Sequence, residues 1–142
     1  MQKRAESEPE APGWIYQFAL VFDINGGTGA WHCADIPFVF HNTELVPAAN
    51  IEGVSDKLEK EMTGALLALS KNGDPNHPHM PQWKPYTVDD HETMIFDRES
   101  FCVKDPDTKL LSLIKAYGPK SGILVASVPK DTEEPEGRDW MY

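Results

Sequence analysis

The sequence predicts an α/β fold, and three features of its 142 residues indicate it. An apolar run over residues 14–22 (WIYQFALVF) ends in turn residues, as a buried strand does. Residues 54–72 repeat apolar side chains every three or four positions, which is the period of an amphipathic helix. With 40% hydrophobic and 25% charged residues, the chain has enough apolar surface for a packed core.

The run at residues 14–22 is predicted to be a strand that is buried on both faces. It is nearly continuous in apolar, β-branched and aromatic side chains, and residues 23–27 (DINGG) then break it. Strands of this kind lie in the middle of a parallel or mixed sheet beneath helices. We therefore expect this strand to need neighbouring strands.

The helix at residues 54–72 is predicted from its pattern and from its ends. Its apolar stripe consists of Val54, Leu58, Met62, Leu66 and Leu69. Ser55 is the expected N-cap, Gly73 is placed for the left-handed position after the last turn, and Pro75 blocks continuation. These signals predict a helix that begins near Ser55 and ends before Gly73.

The remaining elements are shorter. Residues 77–86 (HPHMPQWKPY) predict a loop, and residues 93–96 predict a strand that continues across a turn at 101–103. A second helix is expected after Asp105-Pro106-Asp107. Its apolar face consists of Leu110, Leu111, Ile114 and Tyr117. Residues 122–128 (GILVASV) are compatible with a last strand or with an extended docking tail.

Composition excludes several classes of function. The formal net charge of −10 disfavours nucleic-acid binding, because such a surface repels phosphates. No apolar run approaches the roughly 20 residues that span a bilayer, so no membrane association is expected. Cys33 and Cys102 form neither a disulfide framework nor a zinc motif, which predicts reduced thiols in a cytoplasmic protein. Residues 1–12 are expected to be a disordered acidic lead-in, and residues 129–142 a flexible tail.

The strongest candidates for catalytic residues lie at positions 29–40 (GAWHCADIPFVF), shortly after the predicted strand. Enzymes of the α/β class place catalytic groups on loops that follow buried strands. His32 is therefore a candidate base, although an ordinary loop histidine is the more frequent outcome on position alone. Metal binding by His77, His79 and His91, phosphate binding by the glycines at 26–29, and a Cys33–His32 pair are all weaker interpretations.

Four linked motifs over residues 14–117 resemble the C-terminal portion of the type-B carboxylesterases. These α/β-hydrolases include bacterial para-nitrobenzyl esterases and cholinesterases. The motifs are residues 29–40, 71–76 (KNGDPN), 83–86 (WKPY) and 94–97 (MIFD). They occur in the family's order and near its spacing. The resemblance implies that residues 13–128 form the C-terminal part of an α/β-hydrolase domain with an incomplete sheet.

The resemblance also implies a chemistry. His32 aligns with the triad histidine, the general base that takes the proton of a serine nucleophile. Asp35 aligns with the family's acidic residue on the same loop and is expected to fix the loop or to cap the segment after it. Trp31 is a possible pocket wall. The substrate implied is a small-molecule carboxylic ester, with no metal or organic cofactor.

The sequence departs from the family in lacking the serine motif. No GxSxG occurs in the chain, and the nearest imitation, at residues 53–57, has Lys57 in place of the second glycine. The portion with the nucleophile, the acid and the oxyanion hole is thus expected to be absent, and the isolated chain to be inactive. Alternatives are an inactive remnant and an interaction module for a separately encoded serine-bearing partner. Self-association through the predicted strand is also expected.

Overall fold

A computed structural model of the chain describes residues 2–8 and 10–117. The helices are α1 (Gln2–Ser7), α2 (Ile36–Val39), α3 (Ser55–Asn72) and α4 (Thr108–Tyr117), and a 3-10 helix spans Thr43–Leu45. The strands are β1 (Ile15–Phe18), β2 (Glu92–Phe96) and β3 (Phe101–Lys104). The chain divides into two compact units, Met1–Pro106 and Asp107–Tyr142, and α4 belongs to the second. The strand predicted at 122–128 and the tail predicted at 129–142 lie outside the described residues.

The three strands form one mixed sheet in the order β1-β2-β3. Strand β1 pairs with β2 in parallel, with Tyr16 opposite Met94, and β3 pairs with β2 in antiparallel, with Cys102 opposite Met94. All five residues of β2 are buried, so β2 is the central strand. The predicted α/β class and the strands predicted at 93–96 and 101–103 are confirmed.

The prediction of a long central strand at residues 14–22 is wrong. In the sheet that the described residues form, this strand is short and lies at an edge. Strand β1 ends at Phe18, lies at the edge of the sheet, and exposes Tyr16 and Gln17. Leu20 and Phe22 are nonetheless fully buried, since the chain leaves the sheet and turns inward. An apolar run predicts that its residues are buried, but it does not predict that they form a strand. Here Leu20 and Phe22 are buried although they lie outside β1.

Helix α3 confirms the prediction for residues 55–72, except at its N-terminus. Gly73 adopts φ 74°, and its N–H donates to the Leu69 carbonyl at 2.9 Å. The N-cap is Val54 instead of Ser55. The buried Ser55 hydroxyl donates to the Ala49 carbonyl at 2.5 Å, so it secures the preceding loop instead of the first turn.

The expected disordered lead-in contains a helix over Gln2–Ser7. Glutamine, lysine, arginine, alanine and glutamate all favour helix, and Arg4 and Glu8 form an i,i+4 ion pair at 3.8 Å. A composition that cannot form a core therefore still permits a local helix.

The core is built around three phenylalanines. The rings of Phe18 and Phe38 are 5.2 Å apart, and those of Phe18 and Phe22 are 6.2 Å apart. Phe38 comes from the short helix α2, which packs on α3. The segment that follows the His32 loop is therefore anchored in the centre of the first unit.

Asn76 connects the turn after α3 to the strand region. Its Nδ2 donates to the Trp83 carbonyl at 2.8 Å, and the Trp83 N–H donates to Asn76 Oδ1 at 2.7 Å. The indole of Trp83 in turn donates to the Ile15 carbonyl at 3.1 Å and is 5% exposed. The motifs at 71–76 and 83–86 are thus held together by the hydrogen bonds of the Asn76 side chain to the Trp83 backbone.

Asn76→Ala is expected to lower the free energy of unfolding by about 1–3 kcal/mol, because the Trp83 N–H loses its partner and the Trp83 carbonyl keeps only the Trp14 indole as a donor among the described residues. Denaturant unfolding measures the change. The matched control is Asn50→Ala at an exposed position, with an expected effect below about 0.5 kcal/mol. Equal losses for the two variants would contradict the role given to Asn76.

Candidate functional site

His32 lies on a turn between the Phe22–Thr28 bridge and helix α2. Its side chain is exposed, and within residues 2–8 and 10–117 its imidazole makes no hydrogen bond or ion pair. The turn is closed by backbone bonds from Ala34 N–H to the Trp31 carbonyl at 3.1 Å and from Ile36 N–H to the Cys33 carbonyl at 3.2 Å. The ring is therefore presented to the exterior on an ordered loop.

Asp35 stands at the N-cap of α2 but makes no side-chain capping bond. Its carboxylate instead accepts a hydrogen bond from the Tyr16 hydroxyl, with 2.6 Å between the oxygens. The residue thus contacts strand β1 across 19 positions of sequence. In the described structure the Asp35 carboxylate therefore bonds to Tyr16 and not to the first turn of α2.

Tyr16 is a site residue that the sequence analysis missed. Its ring meets Trp83 and Phe96 edge-on, with centroids 6.2 and 5.5 Å away. Partial burial raises the pKa of Tyr16 to about 12, and the hydrogen bond to Asp35 and its negative charge act in the same direction. At neutral pH the phenol is therefore a hydrogen-bond donor to an ionised acceptor.

Trp31 closes the loop onto the core. Its ring centroid lies 4.4 Å from that of Phe22, and the side chain remains 45% exposed. One part of the indole is therefore anchored while another is available beside His32. Cys33, the next residue, is exposed and adopts φ 65°, a conformation that non-glycine residues seldom take.

Polar side chains of α3 hold the segment that follows the loop. The Thr63 hydroxyl donates to the Phe38 carbonyl at 2.8 Å. The buried Glu59 carboxylate accepts from the Thr43 N–H at 2.8 Å and pairs with His41 Nδ1 at 2.8 Å. Neither residue was predicted, although both directly follow apolar stripe positions in the sequence.

His77 has a structural role. His77 Nε2 lies 2.9 Å from the Glu61 carbonyl, and its ring packs so close to Gly64 that no Cβ fits there. In the part of the chain that the structure describes, no group of three His, Cys, Asp or Glu residues is arranged to hold a metal ion. The same residues include no helix with the length and apolarity needed to cross a membrane.

No protein-family model matches the chain, but comparison with individual known sequences finds similar hydrolases. The chain is 28% identical over 100 residues to a phenmedipham hydrolase of Pseudarthrobacter oxydans, which covers 66% of the chain and 20% of that protein. It is also 28% identical over 102 residues to the para-nitrobenzyl esterase of Bacillus subtilis. That alignment covers 70% of this chain and 21% of the esterase. The chain spans about a fifth of the length of these relatives.

Solved structures give the same result. An esterase from Clostridium hathewayi, described as able to hydrolyse aliphatic aromatic polyesters, is 47% identical with a TM-score of 0.73, over 80% of this chain and 23% of its own. A para-nitrobenzyl esterase is 26% identical with a TM-score of 0.62, over 71% of this chain and 21% of its own. A carboxylesterase of Geobacillus stearothermophilus is 27% identical with a TM-score of 0.63, over 75% and 22%.

Proposed function

We propose that this chain, which resembles the type-B carboxylesterases over 66–80% of its length, supplies the triad histidine of a carboxylic ester hydrolase. The observation that carries the proposal is the exposed His32 on a loop that Asp35 ties to strand β1. An exposed imidazole on an anchored loop is able to meet a nucleophile from outside the chain. The substrate class is a small-molecule carboxylic ester.

In this function His32 works as a general base and then as a general acid. It accepts the proton of a serine hydroxyl as that oxygen attacks the ester carbonyl, and it returns the proton to the departing alcohol. The 142 residues contain no GxSxG, so the serine and its oxyanion hole have to come from another stretch of polypeptide. Trp31, which precedes His32 in the sequence and is 45% exposed, would form a wall of the ester pocket.

The edge of strand β1 is the surface proposed for the serine-bearing polypeptide. Among the described residues β1 pairs with β2 alone, and Tyr16 and Gln17 are exposed along it. An unpaired strand edge is a template for addition of another strand. A serine-bearing polypeptide that extended the sheet from β1 would approach the His32 loop, which is tied to the same strand.

Without that polypeptide, the chain is expected to self-associate in spite of its net charge of −10. The reason is that each apolar side chain left in water costs about 1.5–3 kcal/mol, and pairing at the open β1 edge removes part of that exposure. Light scattering and binding of a hydrophobic dye measure the association. A compact monomer that binds no dye at micromolar concentration would contradict the expectation.

The isolated chain is expected to hydrolyse para-nitrophenyl esters no faster than free imidazole. A base without nucleophile or oxyanion hole loses nearly all of the enhancement. The measurement compares the chain with its His32→Ala variant at equal concentration. A burst of nitrophenol followed by saturable, His32-dependent turnover would show that the chain carries its own nucleophile.

A hybrid tests the proposed function directly. In the Clostridium hathewayi esterase, the aligned 23% of the polypeptide is exchanged for this chain, since 47% identity favours compatible packing. Ester hydrolysis by the folded hybrid is the expected result. A folded but inactive hybrid would instead favour an inactive remnant of an esterase.

A further inference from the structure

We infer that Tyr16 is a positioning residue, which fixes the His32 loop on strand β1 by donating a hydrogen bond to Asp35. The inference rests on the proposed function of His32 and deepens it. The 2.6 Å contact is the one side-chain hydrogen bond that residues 29–37 form in the described part of the chain. Without it, the loop would be held by its own turn bonds, by the burial of Ala34 and by the residues that flank it.

The two ends of the loop are anchored differently from its middle. Trp31 packs against Phe22 at one end, with the two rings tilted by 38°, and Phe38 is buried in the core at the other. Between them, His32 and Cys33 are exposed, whereas Ala34 is buried in the core. Asp35 therefore provides the side-chain hydrogen bond that is nearest to the imidazole, next to the buried Ala34.

The backbone gives a reason why an attachment is needed. Cys33 holds φ 65°, a left-handed conformation that is unfavourable for a non-glycine residue and persists only where the surroundings enforce it. Release of Asp35 would allow this residue to relax toward negative φ. Such a change next to His32 would redirect the imidazole.

Tyr16 is suited to hold the loop because it is itself rigid. Its ring is packed edge-on against Trp83 and Phe96, and its backbone lies in the β1–β2 ladder opposite Met94. The raised pKa of its phenol keeps the donor proton in place far above neutral pH. A rigid donor and an ionised acceptor form a charge-assisted hydrogen bond, which is stronger than a neutral one.

The test uses Tyr16→Phe in the full chain, because phenylalanine keeps the ring contacts and removes only the hydroxyl. Hydrogen–deuterium exchange at the amides of Ala34 and Ile36 is expected to accelerate about tenfold, while amides of α3 keep their rates. The matched control is Tyr86→Phe, which removes a phenol elsewhere and should leave the loop unchanged. Unchanged loop exchange, or an equal acceleration in α3, would overturn the inference.

Two further measurements separate positioning from general support. In the chain, Asp35→Ala should lower the pKa of Tyr16 from about 12 toward its ordinary value of 10, as followed by phenolate absorbance.

In the hybrid esterase, Tyr16→Phe should lower kcat about tenfold with KM unchanged, because misalignment of a base slows the chemical step. A hybrid that is inactive with Tyr16 intact would refute the proposed function, whereas the exchange rates would still decide the attachment. Equal kcat for the two active hybrids would overturn the positioning role.

Discussion

Replacing His32 by alanine in the hybrid esterase is expected to reduce turnover by about 10⁴-fold or more. Alanine cannot take the serine proton, and loss of one triad member removes most of the benefit of the others. The melting temperature should change little, because the His32 side chain is exposed and makes no hydrogen bond in the described structure. Turnover of a para-nitrophenyl ester and thermal unfolding are measured on the same preparations. Near-normal turnover would end the assignment of His32 as the base.

Two neighbouring substitutions serve as controls for this result. Asp35→Asn keeps an oxygen that can accept from Tyr16, so most of the activity should persist with some loss of stability. Cys33→Ser should be nearly silent in rate, because the thiol is exposed and is given no role. An Asp35→Asn hybrid as inactive as His32→Ala, yet equally stable, would mean that Asp35 acts in the chemistry.

The elements that the sequence predicted correctly are those with local signals. Helix α3 has a periodic stripe and a glycine at its C-terminus, and Gly73 does adopt the left-handed conformation. The error at Ser55 arose because its hydroxyl bonds to Ala49, six residues earlier, and not to the helix. The extent of β1 was overestimated because burial of Leu20 and Phe22 resembles strand burial in a one-dimensional pattern.

The supports of the candidate site could not be predicted for a related reason. Tyr16 reaches Asp35 across 19 residues, and Glu59 reaches the Thr43 N–H across 16. No spacing rule joins such pairs, because they meet only after β1 and α3 have packed. His32 was found through linked motifs, whereas the residues that hold its loop required the three-dimensional contacts.

The motif that carries His32 also contains a pair of phenylalanines with opposite environments. Phe38 is fully buried and contacts Phe18 at a centroid distance of 5.2 Å, whereas Phe40 is 64% exposed. Phe38 lies in helix α2 and Phe40 is its C-cap, so the two rings are only two positions apart. Replacing each phenylalanine in turn therefore shows how much the burial of the ring contributes to the free energy of unfolding.

Phe38→Ala is expected to lower the free energy of unfolding by about 3–5 kcal/mol, the loss typical of removing a buried aromatic side chain and leaving a cavity. A domain's total stability is about 5–15 kcal/mol, so this single change should remove much of it. The His32 loop should loosen as well, because Phe38 anchors the segment after it, and amide exchange at Ala34 should rise. Phe40→Ala should cost less than about 1 kcal/mol, and denaturant unfolding of both variants gives the comparison. If Phe38→Ala cost no more than about 1 kcal/mol, the core would not depend on Phe38, and the anchoring of the His32 loop would then have to lie elsewhere.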